Sequence, residues 1–121
     1  MSDALGPRGE RIAARFLKSE GYTVLKRNWK SRAGEVDIIA RHGGILVFVE
    51  VKARSGTMYG LAVQAVNAAK RKRLVDAASL YLAALPPGEQ PPVRFDVITV
   101  MFSPSGAHET EHLMDAFDGS W

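Results

Sequence analysis

Two ionisable residues, Glu50 and Lys52, interrupt a run of apolar residues that otherwise has the pattern of a buried β-strand. Side chains alternate between the two faces of a strand, so these two side chains project to the same side. Charged groups on one face of a central strand are costly unless they are paired or hold an ion. The spacing therefore predicts either a structural ion-paired cluster or a site that binds a cation.

A hairpin brings a second carboxylate to this position. The dipeptide Gly43–Gly44 separates two strand-like segments, and Gly-Gly is a strong signal for a two-residue hairpin turn. Counting outward from that turn places Asp37 opposite Glu50, and Glu35 opposite Lys52. Two carboxylates that face each other destabilise a pair of strands unless something compensates for their charge.

A divalent cation would supply that compensation. Magnesium accepts one or two carboxylates and keeps several waters for a substrate phosphate, so we expect Mg²⁺ or Mn²⁺ at Asp37 and Glu50. The backbone carbonyl of Val51 is a candidate third ligand. Such a metal polarises a phosphodiester and activates a bound water, while Lys52 orients that water or neutralises charge that develops on the phosphate. This pattern favours phosphodiester hydrolysis over a purely structural cluster.

The elements that position these residues follow from periodicity and from turn residues. Apolar residues at helical spacing predict a first helix between Pro7 and Gly21. The further predictions are strands at Tyr22–Trp29, 35–40, 45–53 and Val93–Met101, a polar loop at 30–34, a long helix at 61–85 and a proline-rich linker at 86–92. The last part of the chain is predicted to be an acidic tail from about residue 103, with a short strand near His112–Met114 before it frays. We expect one domain over residues 1–121, an α/β fold with a mixed central sheet flanked by helices.

The charge is unevenly distributed along the chain. Residues 1–88 carry 15 Lys and Arg against 7 Asp and Glu, whereas residues 89–121 carry one Arg against 6 acidic residues. A basic body suggests a polyanionic partner, because Lys and Arg gain affinity by releasing counterions from phosphates. The alternative is an unevenly charged, solvated surface. There is no cysteine, which excludes disulfides and thiolate metal sites.

Several motifs together resemble a known family. The pattern G-E-V-D-I-I, a hairpin turn and then V-F-V-E-V-K resembles the PD-(D/E)XK nuclease superfamily. In particular it resembles the small bacterial YraN-like group, which is related to archaeal Holliday-junction resolvases. The further matches are G-x-x-G-E at Gly6–Glu10, R-N-W at Arg27–Trp29, Q-A-V followed by Lys70 and Arg73, R-F-D-V at Arg94–Val97, and H-L-x-x-A-F at His112–Phe117.

The resemblance implies a restriction-endonuclease-like α-β-β-β-α-β core. It implies metal at Asp37 and Glu50, with Lys52 as the catalytic lysine. An acidic residue of the first helix, Glu10, and a polar residue of the later helix, Gln64, would join the site. Glu10 alternatively serves only to complement the dipole of its helix. The resemblance to resolvases makes a homodimer one expectation.

Other polar residues receive weaker predictions. The candidates for contacts with nucleic-acid phosphates are Arg8, Arg54, Lys70 and Arg73. Arg71 and Lys72 are expected to be solvated, and Asp96 is expected to form a structural ion pair. Trp29 is expected to pack in the core or at a sheet edge, with stacking on a base as the alternative. For the three histidines, no ligand or base partner is expected.

Three functions are compatible with these features. The first is a Mg²⁺- or Mn²⁺-dependent endonuclease acting on DNA, with branched DNA as one candidate substrate. The second is a non-catalytic nucleic-acid-binding protein that retains the nuclease fold. The third is a scaffold that binds another protein through Leu113–Trp121. No apolar run approaches the ~20 residues of a membrane-spanning helix, and no signal peptide is recognisable, so we expect a cytoplasmic protein.

Overall fold

The computed structural model of the protein describes residues 5–55 and 67–117. The elements are α1 (Leu5–Ser19), β1 (Thr23–Ser31), β2 (Gly34–His42), β3 (Ile45–Ser55), α2 (Ala68–Ala83), β4 (Val93–Phe102) and β5 (His108–Phe117). All five strands form one sheet in the order β1-β2-β3-β4-β5. β3 and β4 run parallel, and the other neighbouring strands run antiparallel. This architecture confirms the predicted α/β fold, in which a mixed sheet is flanked by helices.

The hairpin between β2 and β3 has the predicted register. Gly43 and Gly44 adopt φ angles of 56° and 88°, which a two-residue turn of this kind requires and which glycine adopts without strain. Pairing extends from His42 and Ile45 at the turn to Ile38 and Val49. The paired part of the two strands therefore ends one residue before Asp37 and Glu50.

β3 lies at the centre of the sheet and is covered on both faces. Val47, Val49 and Val51 belong to the core under α1, whereas Leu46 and Phe48 belong to the core under α2. Alternation along the strand then places Glu50 and Lys52 on the side of α2. The sequence prediction of a central strand buried on both faces is confirmed.

α1 approaches the sheet very closely at Gly9. A Cβ atom added to Gly9 would lie only 2.7 Å from the Cβ of Ala53, near the end of β3. Ala13, Ala14 and Leu17 then bury the rest of the apolar face of the helix. The close approach brings the next residue, Glu10, to the same end of the sheet as Glu50.

The connection between β1 and β2 is shorter than predicted. Lys30 and Ser31 continue β1, and β2 already begins at Gly34, so the predicted loop at 30–34 is wrong at both ends. The Ser31 hydroxyl donates to the Gly34 carbonyl at 2.9 Å and accepts from the Ala33 amide at 3.2 Å. Polar residues fit this position because β1 is an edge strand with one side exposed to solvent.

The long helix predicted for 61–85 is not helical at Asn67, and α2 begins at Ala68. Asn67 has an extended backbone, and its side chain accepts a hydrogen bond from the Lys70 amide at 2.9 Å. This side-chain cap fixes the start of α2 at Ala68. The part of the prediction that precedes Asn67 lies outside the described residues.

The C-terminal part of the chain is more ordered than predicted. The strand predicted near His112–Met114 is present, but β5 spans ten residues and pairs with β4, so the predicted length is too short. The physical reason is that Leu113, Ala116 and Phe117 pack against the core under α2. The residues after Phe117, where fraying was predicted, lie outside the described residues.

Neither helix of the described chain has the length and apolar character needed to cross a lipid bilayer.

Candidate functional site

The three residues that the sequence singled out come together at the end of the β2–β3 ladder. Asp37 lies just beyond the last paired residues, and its Oδ2 atom accepts a hydrogen bond from the Val51 amide at 2.8 Å. The side chain therefore bridges two strands whose regular pairing has stopped. This bond holds the Asp37 carboxylate beside Glu50, the neighbour of Val51.

The two carboxylates repel each other. Burial, and then the negative charge of Glu50, raise the pKa of Asp37 to about 8, although the hydrogen bond from Val51 acts in the opposite direction. Glu10 adds a smaller effect of the same sign. Of two neighbouring carboxyl groups, one keeps its proton to a higher pH, and a cation bound between them favours the ionised form of both. The pair is consequently suited to accept a cation.

Two lysines surround Glu50. The Lys70 Nζ atom, which α2 provides, lies 3.7 Å from Glu50 Oε1. Burial and the adjacent Lys70 lower the pKa of Lys52, while Glu50 and Asp37 oppose that shift. A lysine with a lowered pKa gives up a proton more readily than an exposed lysine.

Asp37, Glu50 and Lys70 line an open cleft of about 250 Å³, and Lys52 is not part of its lining. Its lining consists of Gly34, Glu35, Asp37, Glu50, Lys70, Arg73 and Leu74. The prediction that Lys70 and Arg73 share a face directed at the site is therefore confirmed. A Cβ added to Gly34 would lie 3.6 Å from the Cβ of Arg73, so the two elements are in close contact here.

A second cleft adjoins the first one through Glu35. It is lined by Gly6, Pro7, Glu10, Arg11, Arg27, Asn28 and Glu35. Burial raises the pKa of Glu10, the Asn28 side chain lowers it through a hydrogen bond, and the charges of Glu35 and Glu50 raise it further. Glu10 thus lies within electrostatic reach of the Asp37–Glu50 pair, as the resemblance implied.

Sequence reasoning assigned no role to Arg11, Arg27 or Asn28. The signal that could have identified two of them was the R-N-W motif at Arg27–Trp29, whose tryptophan instead packs in the core with its ring 5.4 Å from that of Tyr81. The packing role predicted for Trp29 is confirmed.

Some predicted residues are not brought to the clefts. The Arg8 guanidinium lies 4.6 Å from the ring centre of Phe102, on the α1 side of the sheet. Arg54 is exposed near the end of β3 and lines neither cleft. Arg71 is half-buried, so the prediction that it is solvated is wrong, whereas Lys72 is exposed as predicted. Gln64 lies outside the described residues.

The donor set fits an open magnesium-type site. Within residues 5–55 and 67–117, no group of three or more Asp, Glu, His or Cys side chains is arranged to hold a metal ion. A closed structural metal site is therefore not present in that part of the chain. Magnesium, however, typically uses one or two carboxylates and takes its remaining ligands from water and substrate phosphates. Asp37 and Glu50 meet this requirement, and the Val51 carbonyl stays a predicted ligand.

A separate polar network lies on the opposite side of the sheet. Asp96 is fully buried and bonds to the Nε and Nη2 atoms of Arg94, both at 2.9 Å, which confirms the predicted ion pair. His112 Nε2 lies 2.7 Å from Asp96 Oδ2, so the prediction that this histidine has no partner is wrong. Burial would raise the pKa of Asp96, but hydrogen bonds from His112, Arg94 and the Asp115 amide hold it below the ordinary value. The network ties β4 to β5 and is structural.

Comparisons with known proteins place these residues in a family context. The model of the uncharacterised protein family UPF0102 matches residues 9–100. The chain is similar to a UPF0102 protein of Symbiobacterium thermophilum, with 50% identity over 117 residues that cover 97% of this chain and 98% of the relative. It is also similar to a UPF0102 protein of Frankia alni, with 46% identity over 115 residues that cover 95% of each chain.

Proposed function

We propose that this chain, which belongs to the uncharacterised protein family UPF0102, is a metal-dependent endonuclease that hydrolyses phosphodiester bonds in DNA. The observation that carries the proposal is the half-buried Asp37–Glu50 pair at the end of the β2–β3 ladder, where burial and then the charge of Glu50 raise the pKa of Asp37. The resemblance to the PD-(D/E)XK superfamily adds branched DNA to the candidate substrates.

In this proposal Asp37 and Glu50 hold Mg²⁺ or Mn²⁺. When bound, such a metal polarises a phosphodiester and lowers the pKa of a coordinated water. The bond from the Val51 amide fixes the Asp37 carboxylate, and Asp37 lines the cleft. Neutralising the two carboxylates also removes the repulsion that raises the pKa of Asp37.

Lys52 works beside this pair. Its ammonium group lies close enough to Glu50, Asp37 and Lys70 for their charges to shift its pKa. We assign it the task of donating a hydrogen bond to the attacking water or to a phosphate oxygen, where negative charge develops. Glu10 and Gln64 are assigned supporting roles in orienting water.

Lys70 and Arg73 are assigned to the phosphates that flank the scissile bond. The Lys70 side chain is 31% exposed and lines the cleft, with its Nζ atom 3.7 Å from Glu50 Oε1, so it is accessible to a phosphate that enters the cleft. Contacts of this kind fix the position of the duplex but do not read its sequence.

The experiment that tests the proposal is cleavage of linear, nicked, flapped and four-way-junction DNA with Mg²⁺, Mn²⁺ or EDTA. We expect metal-dependent cutting by the wild type that Glu50→Ala and Lys52→Ala both lose. Lys72→Ala is the matched control, because Lys72 is exposed and pairs with Asp76 at 3.0 Å on another part of α2. Cutting that persists in Lys52→Ala would show that the assigned roles are wrong.

A non-catalytic DNA-binding protein is the second candidate. It is favoured by the Lys70–Glu50 contact, which offsets part of the negative charge of the site without any metal. This candidate predicts salt-sensitive DNA binding in EDTA that becomes tighter in Asp37→Asn at alkaline pH, where the wild-type Asp37 carboxyl is ionised and repels phosphate. No cleavage by the folded wild type on any of the four substrates would favour this function.

A further inference from the structure

Asn28 has an unusual backbone conformation for a residue within a strand. Its φ angle is 52°, and among the described residues only Asn28 and Asp115 combine a positive φ with a side chain. Asparagine tolerates the left-handed region better than most residues, but the conformation still carries strain. No turn requires it here, because β1 pairs with β2 on both sides, at Arg27 with Ile38 and at Trp29 with Val36.

The distortion lies directly across from Asp37. The register on either side of Asn28 places it opposite Asp37, and no pairing is formed at that position. Val36 packs in the core under α2 and Ile38 in the core under α1, although residues two apart on a regular strand share a face. The backbone of β2 therefore rotates at Asp37, beside the left-handed residue of β1.

The side chain of Asn28 lies in the second cleft, which adjoins the first one through Glu35. Glu10 lines the same cleft. The side chain of Asn28 forms a hydrogen bond with the Glu10 carboxylate, and this bond lowers the pKa of Glu10. The other groups that act on this carboxylate are Glu35 and Glu50, which repel its charge, and Arg27, which attracts it. Asn28 consequently contacts Glu10 of α1 through its side chain and lies opposite Asp37 of β2 through its backbone.

We propose that Asn28 is a positioning residue, whose left-handed backbone directs its amide to the Glu10 carboxylate and holds that carboxylate toward the Asp37–Glu50 pair. This inference rests on the proposed function, because it assigns Glu10 to the same cation site. Asn28 itself binds neither metal nor DNA in this scheme.

The test is a double-mutant cycle on Mn²⁺ affinity, measured by titration calorimetry. Asn28→Gly is the informative variant, since glycine keeps the positive φ without strain and removes only the amide. We expect it to weaken Mn²⁺ binding about tenfold, as loss of an outer-shell partner of a metal site does. In a Glu10→Ala background the same change should have no further effect, because Asn28 acts through Glu10.

Two outcomes of the cycle would overturn the proposal. One is unchanged Mn²⁺ affinity in Asn28→Gly. The other is an equal loss with and without Glu10, which would mean that Asn28 acts on the site by another route. Asn28→Ala separates the effect of the positive φ from that of the side-chain amide. We expect this variant to lose both Mn²⁺ affinity and thermal stability, because alanine lacks the amide and is strained at a positive φ.

A second readout keeps this inference separate from the proposed function. If the wild type binds no Mn²⁺, the proposed function fails, and the contact is then tested by NMR of the metal-free protein. We expect the Asn28 side-chain amide resonances to shift, and their exchange with solvent to accelerate, in Glu10→Ala. Resonances that do not move would overturn the assignment of Asn28 to Glu10.

Discussion

At the Asp37 carboxyl group, burial and the Glu50 carboxylate raise the pKa from an ordinary value of 3.8 to about 8. The folded protein therefore holds this proton more tightly than the unfolded chain does. The resulting stabilisation is fully present at pH values below the pKa of Asp37 in the unfolded chain. It is lost as the pH rises through the pKa of Asp37 in the folded protein. In the absence of metal, the site thus destabilises the fold at alkaline pH.

Asp37→Asn should remove this pH dependence. The asparagine oxygen can still accept the bond from Val51, but it carries no charge beside Glu50. We expect the free energy of unfolding in EDTA to rise by about 1–3 kcal/mol relative to wild type at alkaline pH, and to change little at acid pH. The measurement is urea unfolding at several pH values. Asp76→Asn is the control, because Asp76 is exposed, and an equal pH-dependent gain in that variant would contradict the prediction.

At the scale of elements, β5 depends on the buried carboxylate of Asp96. Its bonds to His112 and the Asp115 amide hold β5 on β4. These bonds and the bond from Arg94, a residue of β4 itself, keep the pKa of Asp96 low. A carboxyl group whose pKa is depressed by folding stabilises the protein above its ordinary pKa. That contribution is lost as the pH falls through the pKa of Asp96 in the folded protein.

Arg94→Leu should destabilise the protein by about 3–5 kcal/mol at neutral pH, because it leaves a buried charge without its cation. The loss should diminish in acid, where Asp96 is protonated. Unfolding in urea at neutral and acid pH measures both effects. Arg41→Leu is the matched control on the exposed surface of β2, where we expect a change within about 0.5 kcal/mol. A loss for Arg94→Leu that did not depend on pH would contradict this account.

The contact between α1 and β3 sets the position of Glu10. Gly9→Ala would place a Cβ 2.7 Å from that of Ala53, and neither atom is the end of a flexible side chain. We expect a destabilisation of about 1–3 kcal/mol, as overpacking of a core usually costs. Gly6→Ala, which meets no atom within 4 Å, should be neutral or stabilising. Thermal unfolding compares the two variants, and partial recovery in Gly9→Ala combined with Ala53→Gly would identify the clash as the cause.

At the scale of the whole molecule, charge separates across the sheet. The edge strand β1 exposes Lys26, Arg27 and Lys30, whereas the opposite edge strand β5 exposes Glu109, Glu111 and Asp115. The helix α1, which packs mainly on β3, exposes Arg11, Arg15 and Lys18. The cleft that contains Asp37 and Glu50 is lined on one side by residues of α2. We therefore expect a polyanion to be attracted to the side of the molecule that carries the clefts.

This distribution predicts how DNA binding depends on salt. Lys70→Gln should weaken binding and reduce the slope of log K against log salt by about 1, because one phosphate contact is lost. Lys72→Gln should leave the slope unchanged, since Lys72 lies outside the cleft and pairs with Asp76. Fluorescence anisotropy with a labelled four-way junction in EDTA measures both slopes. Equal effects of the two substitutions would show that the cleft does not direct the DNA.

The sequence by itself determined the features that depend on near neighbours along the chain. The Gly43–Gly44 turn fixed the register of the hairpin, and strand alternation put Glu50 and Lys52 on one face. Helical spacing likewise grouped Lys70 with Arg73. These rules act over a few residues, so the core of the candidate site and the order of the main elements could be predicted without a structure.

Only the tertiary structure decided the contacts between distant segments. The link between Asn28 and Glu10 requires a left-handed residue within a strand, which no periodic pattern indicates. The pairing of His112 with Asp96 and the length of β5 depend on burial against the rest of the sheet. A histidine or a carboxylate has the same local preferences whether it is solvated or buried, and the difference arises from packing between elements that are far apart in the chain.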